Sequence, residues 1–339
     1  MVKIVIDAFG GDNSPIEVIK GVITAINKNE DMHVVLCGKQ DVIESELSNY
    51  HYNTDQISIL DATDVITNDD SPTTAIRTKK DSSIVVAYDY LRTNDDVVGF
   101  ISAGSTGAVL TGGFLKLGRL NGIHRPALCP VMPTVTGSYC CICDAGANMD
   151  CKPEYLEQFA VMASAYLNVL GVKKPKVALL NVGTEDHKGD SLTKETFEML
   201  SNNSHINFVG NMEARDLLSG NYDVIVADGF AGNILLKSTE GAIKNLLKVM
   251  KREIKSSFAS KVGALFMRKT FKNIKKNFDY SSFGGAVLIG CKKLVVKAHG
   301  SGKADNFTAC LNQVYSMHKG KLLSKIAKNL EKISEQNNE

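Results

Sequence analysis

Lys188, Asn233 and His299 each combine a reactive side chain with a place just beyond an apolar run. A lysine on a loop reaches an anion as a mobile point charge. An Asn amide donates to an oxygen on which negative charge develops, although at a helix start its plainer role is capping. A histidine in a turn serves as base, as phosphate donor, or as a turn residue and no more. Lys188 lies in NVGTEDHKGD (Asn181 to Asp190), where Thr184, Glu185, Asp186, His187 and Asp190 crowd one loop; the plainer reading is a solvated surface. No GxSxG elbow and no Cys/His pairing occur, so no covalent enzyme intermediate is expected.

Six apolar runs end alike, in tight turns of Gly with Asp, Asn, Ser or His. They are KIVIDAFGGDN (Lys3 to Asn13), VVGFISAGSTGA (Val97 to Ala108), YCCICDAGAN (Tyr139 to Asn148), KVALLNVGTED (Lys176 to Asp186), YDVIVADGFAGN (Tyr222 to Asn233) and LVVKAHGSG (Leu294 to Gly302). A doubly wound α/β sheet brings such turns to the carboxyl ends of its strands, where it binds ligands. A helix start there offers free N–H groups and a positive dipole end to phosphate. Acids lie close to the first, third and sixth helix starts (Glu17, Asp150 with Glu154, and Asp305). None occurs from Ser102 to Leu120 or from Gly229 to Lys237, so these two starts are the better anion sites. The candidate phosphate and substrate contacts are Asp7, Gly10 and Gly11 in the first turn and Ser102, Gly104, Ser105, Thr106 and Gly107 in the second. Asn148 in the third turn and Asp228, Gly229 and Gly232 in the fifth complete them. No GxGxxG follows a strand, and HGSGKAD lacks the first Gly and the final Ser/Thr of a Walker A loop. A standard NAD site and a P-loop NTPase are therefore disfavoured, and no cofactor is expected.

Apolar strand-like runs alternate with helical patterns from end to end, which argues a parallel, doubly wound sheet. Lys3 to Ile6 read as a buried strand. Ser14-Pro15-Ile16-Glu17 has capping-box spacing with Pro at the first helical position. HVVLCG (His33 to Gly38) closes the first βαβ unit. Helices are expected over Leu156 to Leu170, Leu192 to Leu200 and Ala309 to Leu330, with the EQNNE tail frayed. No composition break divides the 339 residues, so one large α/β domain is expected over 1–339.

The bulk composition, 44% hydrophobic and 22% charged, with no uncharged apolar run of membrane-spanning length, argues against a transmembrane helix. MVKIVIDAFGG enters a strand with no signal peptide, which points to the cytoplasm. Eight cysteines in a chain this long suit a reducing compartment. Cys140 and Cys143 form a CxxC, but in a strand they face opposite sides and cannot share an ion; packing is the better reading and no metal is expected. Gly241 to Asn277 carry eleven Lys or Arg and one acid, Glu253. Within it Ile243, Leu246, Leu247, Met250, Ile254 and Phe258 recur at helical spacing, with Lys244, Lys248, Lys251 and Lys255 between them. Such a segment lies on an anionic bilayer, attracts an acidic protein, or packs a dimer; Lys244, Lys248, Lys251, Phe258, Leu265 and Phe266 are the candidate contacts.

In order, these motifs resemble the phosphate acyltransferase (PlsX) family. Its DAMGGD is DAFGGD here, with Phe9 for Met, and its SAGNTGA is SAGSTGA, with Ser105 for Asn. DAGAN, LLNVGTEDHKG, NFVGNMEARD (Asn207 to Asp216), DGFAGNILLK (Asp228 to Lys237), YSSFGGAVLIG (Tyr280 to Gly290) and KAHGS complete the set. The resemblance runs from Met1 to about residue 320. It implies a three-layer αβα Rossmann-like fold similar to isopropylmalate dehydrogenase and phosphotransacetylase, in a homodimer. It implies transfer of a fatty acyl group from acyl carrier protein to inorganic phosphate. The acyl phosphate would feed a membrane glycerol-3-phosphate acyltransferase in phospholipid synthesis. Lys188 and Asn233 match residues implicated in catalysis, and peripheral membrane association follows from the same likeness; no nucleic acid is implied. The rival readings are a phosphotransacetylase using coenzyme A and a non-catalytic membrane scaffold.

Overall fold

A computed structural model describes residues 1–277 and 283–336; of 275–277 and 332–336 only the helical backbone is described. Tyr280 to Ser282 of the YSSFGGAVLIG motif and the end of the EQNNE tail lie outside the described residues. The strands are β1 (Val2–Asp7), β2 (Met32–Gly38), β3 (Ile57–Asp61), β4 (Val97–Ser102), β5 (Ala127–Cys129), β6 (Val131–Pro133), β7 (Tyr139–Cys143), β8 (Lys176–Asn181), β9 (Asn207–Glu213), β10 (Val224–Val226), β11 (Ala286–Ile289) and β12 (Leu294–Lys297). The helices are α1 (Ile16–Ile26), α2 (Gln40–Leu47), α3 (Pro72–Thr78), α4 (Ser83–Thr93), α5 (Thr106–Gly112), α6 (Pro153–Val169), α7 (Ser191–Asn202), α8 (Gly229–Ser256), α9 (Phe258–Phe266), α10 (Arg268–Asn277), α11 (Ala304–Lys319) and α12 (Leu322–Gln336).

The strands divide between two sheets, with orders β3-β2-β1-β4-β12-β11-β5 and β6-β7-β10-β8-β9. The α/β, helix-covered architecture is as expected, but the chain leaves the first sheet after β5 and returns to it at β11. Pairing is parallel except at β11, β5 and β6, which run antiparallel to their neighbours. Each central strand is apolar on both faces because both are covered. In β1, Ile4 and Ile6 join a core shared with α1 and α11, while Val5 faces α4 and its fully buried Tyr88. In β7, Cys141 and Cys143 point to the core beneath α6, and Cys140 and Ile142 point to the opposite face, under Leu235 of α8. The two members of the CxxC therefore do face opposite ways, and both are fully buried. The helix α6 is apolar almost all round, as a buried helix must be. Its Phe159, Met162 and Tyr166 belong to a core that reaches both sheets, and its Tyr166 hydroxyl accepts from Gln313 Nε2 of α11 at 2.7 Å.

Three local expectations need correction. The capping box at Ser14 does not form. Ser14 Oγ donates to the carbonyls of Phe9 and Gly11 at 3.0 and 2.9 Å, and Pro15 precedes the helix rather than opening it. Glu17 instead accepts from Ala304 N at 2.7 Å, so it caps α11. Those two helices pack so closely that a Cβ on Gly21 would lie 2.6 Å from Ala304 O. The C-terminal helical run is two helices, broken where Gly320 caps α11 and Lys321 takes φ 54°. The basic segment is three helices, of which the first, α8, begins at the fifth glycine turn and runs 28 residues without interruption.

Candidate active site

The six glycine turns fall into two groups of three, one on each sheet, because β1, β4 and β12 belong to the first and β7, β8 and β10 to the second. In the first group the turns lock together. Asp12 N donates to Gly300 O at 2.8 Å and Ala298 N to Ser102 O at 2.9 Å. Ser102 Oγ donates to Asp7 Oδ2 at 2.7 Å and accepts from Gly104 N at 3.0 Å. A Cβ on Gly10 would press into the Asp7 carboxylate and lie 2.6 Å from Gly104 N. Gly11, at φ +95°, backs onto Gly300 O. In the second group Asp144 N donates to Ala227 O at 2.8 Å and Gly229 N to Asn148 O at 2.7 Å. The Asp144 carboxylate accepts from the backbone N–H groups of Leu128, Gly146, Ala147 and Asn148 and from Asn148 Nδ2. Burial raises its pKa and that of Asp7, while these donors pull the other way.

Between the groups lies a cleft of ≈ 360 Å³. The first sheet's side contributes Thr106, at the start of α5, and the run Lys297 to Gly300. The second side contributes Ala145, Gly146 and the α8 face carrying Asn233, Lys237 and Glu240. Leu128, Pro130, Val131, Leu236 and Phe283 give it an apolar wall. No hydrogen bond engages the Asn233 side chain among the described residues, and it lies against Gly146. His299 Nδ1 accepts from Ser301 N at 3.2 Å; partial burial and then the Lys297 ammonium hold its pKa below the ordinary value. Burial pushes Glu240 up against the pull of Lys237. Lys297, at the end of β12, is pushed down to about 8 by burial, with Asp7 and Asp12 opposing.

Asn233, His299 and Thr106 therefore line one cleft. Several other candidates do not reach it. Asp7 and Ser102 are fully buried and engage each other, so they hold the turns rather than a ligand. Gly10 and Gly104 serve that same close approach, and Gly107 packs on Pro72. The Asn148 amide donates to Pro126 O and Asp144 Oδ2, which uses both its N–H groups. The second acid-free helix start is largely taken up. Asp228 Oδ1 accepts from Ala231 N at 2.8 Å, and the N–H groups of Gly229 and Gly232 go to Asn148 O and Asp228 O. Asp228 is thus a cap and not an anion ligand. The start of α5 has no side-chain cap. Lys188 is exposed on the loop after β8 and is not among the lining residues. Its carbonyl accepts from Asn181 Nδ2 at 3.0 Å, which braces that loop. Lys297 and Glu240 were missed. Lys297 ends an apolar strand inside KAHGS, and a lone charge at a buried strand end is the signal that could have found it.

A family model described as fatty acid synthesis protein matches residues 2–325. A phosphate acyltransferase of Clostridium acetobutylicum is 46% identical over 333 residues, covering 98% of this chain and 99% of its own. One from Dictyoglomus turgidum is 45% identical, covering 98% and 99%. The chain belongs to the phosphate acyltransferase family. It is an enzyme that transfers acyl groups to phosphate. Its fold is similar to that of a phosphotransacetylase from Streptococcus pyogenes (TM-score 0.61, 16% identity, 94% of each chain). The Staphylococcus aureus EutD phosphotransacetylase is also similar in fold (TM-score 0.58, 16% identity, covering 93% and 94%). The cleft of this phosphate acyltransferase thus holds an uncommitted amide, an uncapped helix start, four cationic or titratable groups (Lys237, Glu240, Lys297 and His299) and an apolar wall.

Proposed function

We propose that this phosphate acyltransferase moves a fatty acyl group from an acyl-carrier-protein thioester to inorganic phosphate. A phosphate oxygen attacks the thioester carbonyl directly, the carrier thiolate leaves, and acyl phosphate is released for phospholipid synthesis. The observation that carries the reading is the Asn233 amide, unengaged in a cleft whose opposite side holds Thr106 and His299. The amide donates to the carbonyl oxygen as the tetrahedral centre forms, a contribution typically worth about 100- to 1,000-fold in rate. Holding phosphate beside the thioester is mainly positioning. The apolar wall suits an acyl chain. Lys188 enters this scheme only as a mobile cation carried towards the cleft by its loop; Lys188→Ala then raises the KM for phosphate, and an unchanged phosphate response removes it.

The deciding assay supplies acyl-carrier-protein thioester and phosphate and looks for acyl phosphate. Release from coenzyme A thioesters alone would shift the reading to a phosphotransacetylase, and release from neither would leave a scaffold. Asn233→Ala is expected to lower turnover by the factor above with unchanged thermal unfolding; near-wild-type turnover removes its role.

The basic arm is proposed as the contact with anionic membrane and as part of a homodimer, at the cytoplasmic face where a glycerol-3-phosphate acyltransferase consumes the product. No helix among the described residues is long and apolar enough to cross a membrane. Phe258 is 83% and Phe266 85% exposed, and such side chains on a basic helical arm suit an interfacial position.

A further inference from the structure

We propose that the Lys297 ammonium is the fixed cation of the phosphate subsite, on the reading that acyl transfer to phosphate takes place in this cleft. Its Nζ donates to Ala103 O at 3.2 Å and to Ala298 O at 2.5 Å. An ammonium has three N–H donors. Two are tied to the second and sixth glycine turns, and the third is uncommitted where Lys297 lines the cleft. Among the described residues Lys297 makes no ion pair. A largely buried charge without an opposite charge beside it is costly, and one facing a cleft is relieved by an anion entering it.

The surrounding charges agree. Asp7, on β1, is engaged by Ser102 Oγ and Phe9 N; Asp12, in the turn after β1, and the Cys310 thiol, on α11, act on Lys297 only at longer range. His299 lies beside it on the same turn. Across the cleft α8 presents Lys237 and Glu240, and Lys244 acts on His299 from further along that helix. None of these closes an ion pair with Lys297, and Lys237 adds positive charge for a dianion. Lys297 is thus a preorganised counterpart to the mobile Lys188: its backbone ends a strand and its head is held by two carbonyls.

The test compares wild type with Lys297→Gln and Lys297→Arg in acyl phosphate formation, alongside calorimetry of inorganic phosphate binding without acyl donor. Gln keeps a donor for the two carbonyls but removes the charge. Lys297→Gln should raise the KM for phosphate about tenfold or more, as loss of a charged hydrogen bond implies. The KM for the thioester should stay within about twofold of wild type. The pH profile gives a second readout. The ammonium is charged below about pH 8 and neutral above it, so wild-type phosphate KM rises through that pH. In Lys297→Arg the rise is absent, because a guanidinium stays charged. A Lys297→Gln phosphate KM within about twofold of wild type, or the same pH rise in Lys297→Arg, overturns the proposal. Should Lys297→Gln fail to fold, the Arg profile decides alone. If wild type forms no acyl phosphate, calorimetry still decides: phosphate binding lost in Lys297→Gln keeps Lys297 as the anion's partner while the acyl-transfer reading falls, and equal binding overturns it.

Discussion

Two asparagines at neighbouring turns show how the same side chain takes opposite roles. Asn148 has both amide hydrogens engaged, on Pro126 O and Asp144 Oδ2, whereas Asn233 has neither engaged. Asn148→Ala should therefore damage the fold. It leaves a buried acceptor without its donor, which typically costs about 1–3 kcal/mol and is read as a lower midpoint in denaturant. Asn233→Ala should leave that midpoint in place. Lys297 gives a residue-scale prediction of a different kind. Its folded pKa, about 8, lies below its ordinary 10.5. Between those values the unfolded chain binds more protons than the folded one, so this group makes stability rise with pH in that window. Thermal unfolding of wild type relative to Lys297→Met at pH 8 and pH 10 checks the sign: the wild type should gain on the variant at the higher pH. A wild type that loses ground would mean that Lys297 is more solvated than its surroundings indicate.

At the scale of elements, helix ends decide what the turns can bind. The helix α8 begins with Asp228 accepting from Ala231 N, so its start is capped by a side chain and carries a carboxylate. Asp228→Asn preserves the cap and removes that charge. It should leave stability within about 0.5 kcal/mol and leave the phosphate KM unchanged or lower. Asp228→Ala should cost about 1 kcal/mol; a large rise in phosphate KM for Asp228→Asn would restore Asp228 as a ligand. The strand-and-turn rhythm was legible because apolar strands and glycine turns are local signals. Partner choice was not. Glu17 looked like the cap of its own helix, yet its carboxylate holds Ala304 N, 287 positions away. Acid-free sequence after Asp228 looked like an open anion site, yet the acid that closes it is Asp228 itself. The same limit hid Lys297, whose meaning depends on carbonyls from Ala103 and Ala298 meeting at its head. Spacing shows which side chains are near in sequence, and these roles depend on which backbone groups the fold leaves without a partner.

For the whole molecule, the division into two sheets makes the cleft a seam: each side brings its own glycine turns, and α8 continues from that seam into the exposed arm. Asn233, Leu236, Lys237 and Glu240 line the cleft, and further along the same helix Lys244, Leu247, Lys248, Lys251 and Ile254 border a separate apolar groove with α9 and α10. One continuous helix thus spans the cleft proposed for catalysis and the surface proposed to meet the membrane. At the far end Leu265 is 70% and Phe266 85% exposed, with basic residues on either side. The double variant Leu265→Ser/Phe266→Ser removes apolar area that contacts nothing in the described core, so its unfolding midpoint should match wild type. Partitioning onto liposomes of anionic lipid, read by flotation, should drop by more than about tenfold, since a bilayer-inserted Phe or Leu contributes about 1.5–3 kcal/mol on burial. Neutral liposomes should bind the wild type less, because the lysines of α8 lose their partners. Should the arm dock the carrier instead, flotation will be unaltered and the KM for acyl-carrier-protein thioester will rise while that for coenzyme A thioester stays put. Should it bury its apolar residues against a second copy, the variant will elute as a smaller species in light-scattering chromatography, and both flotation and carrier KM will follow from that loss rather than cause it.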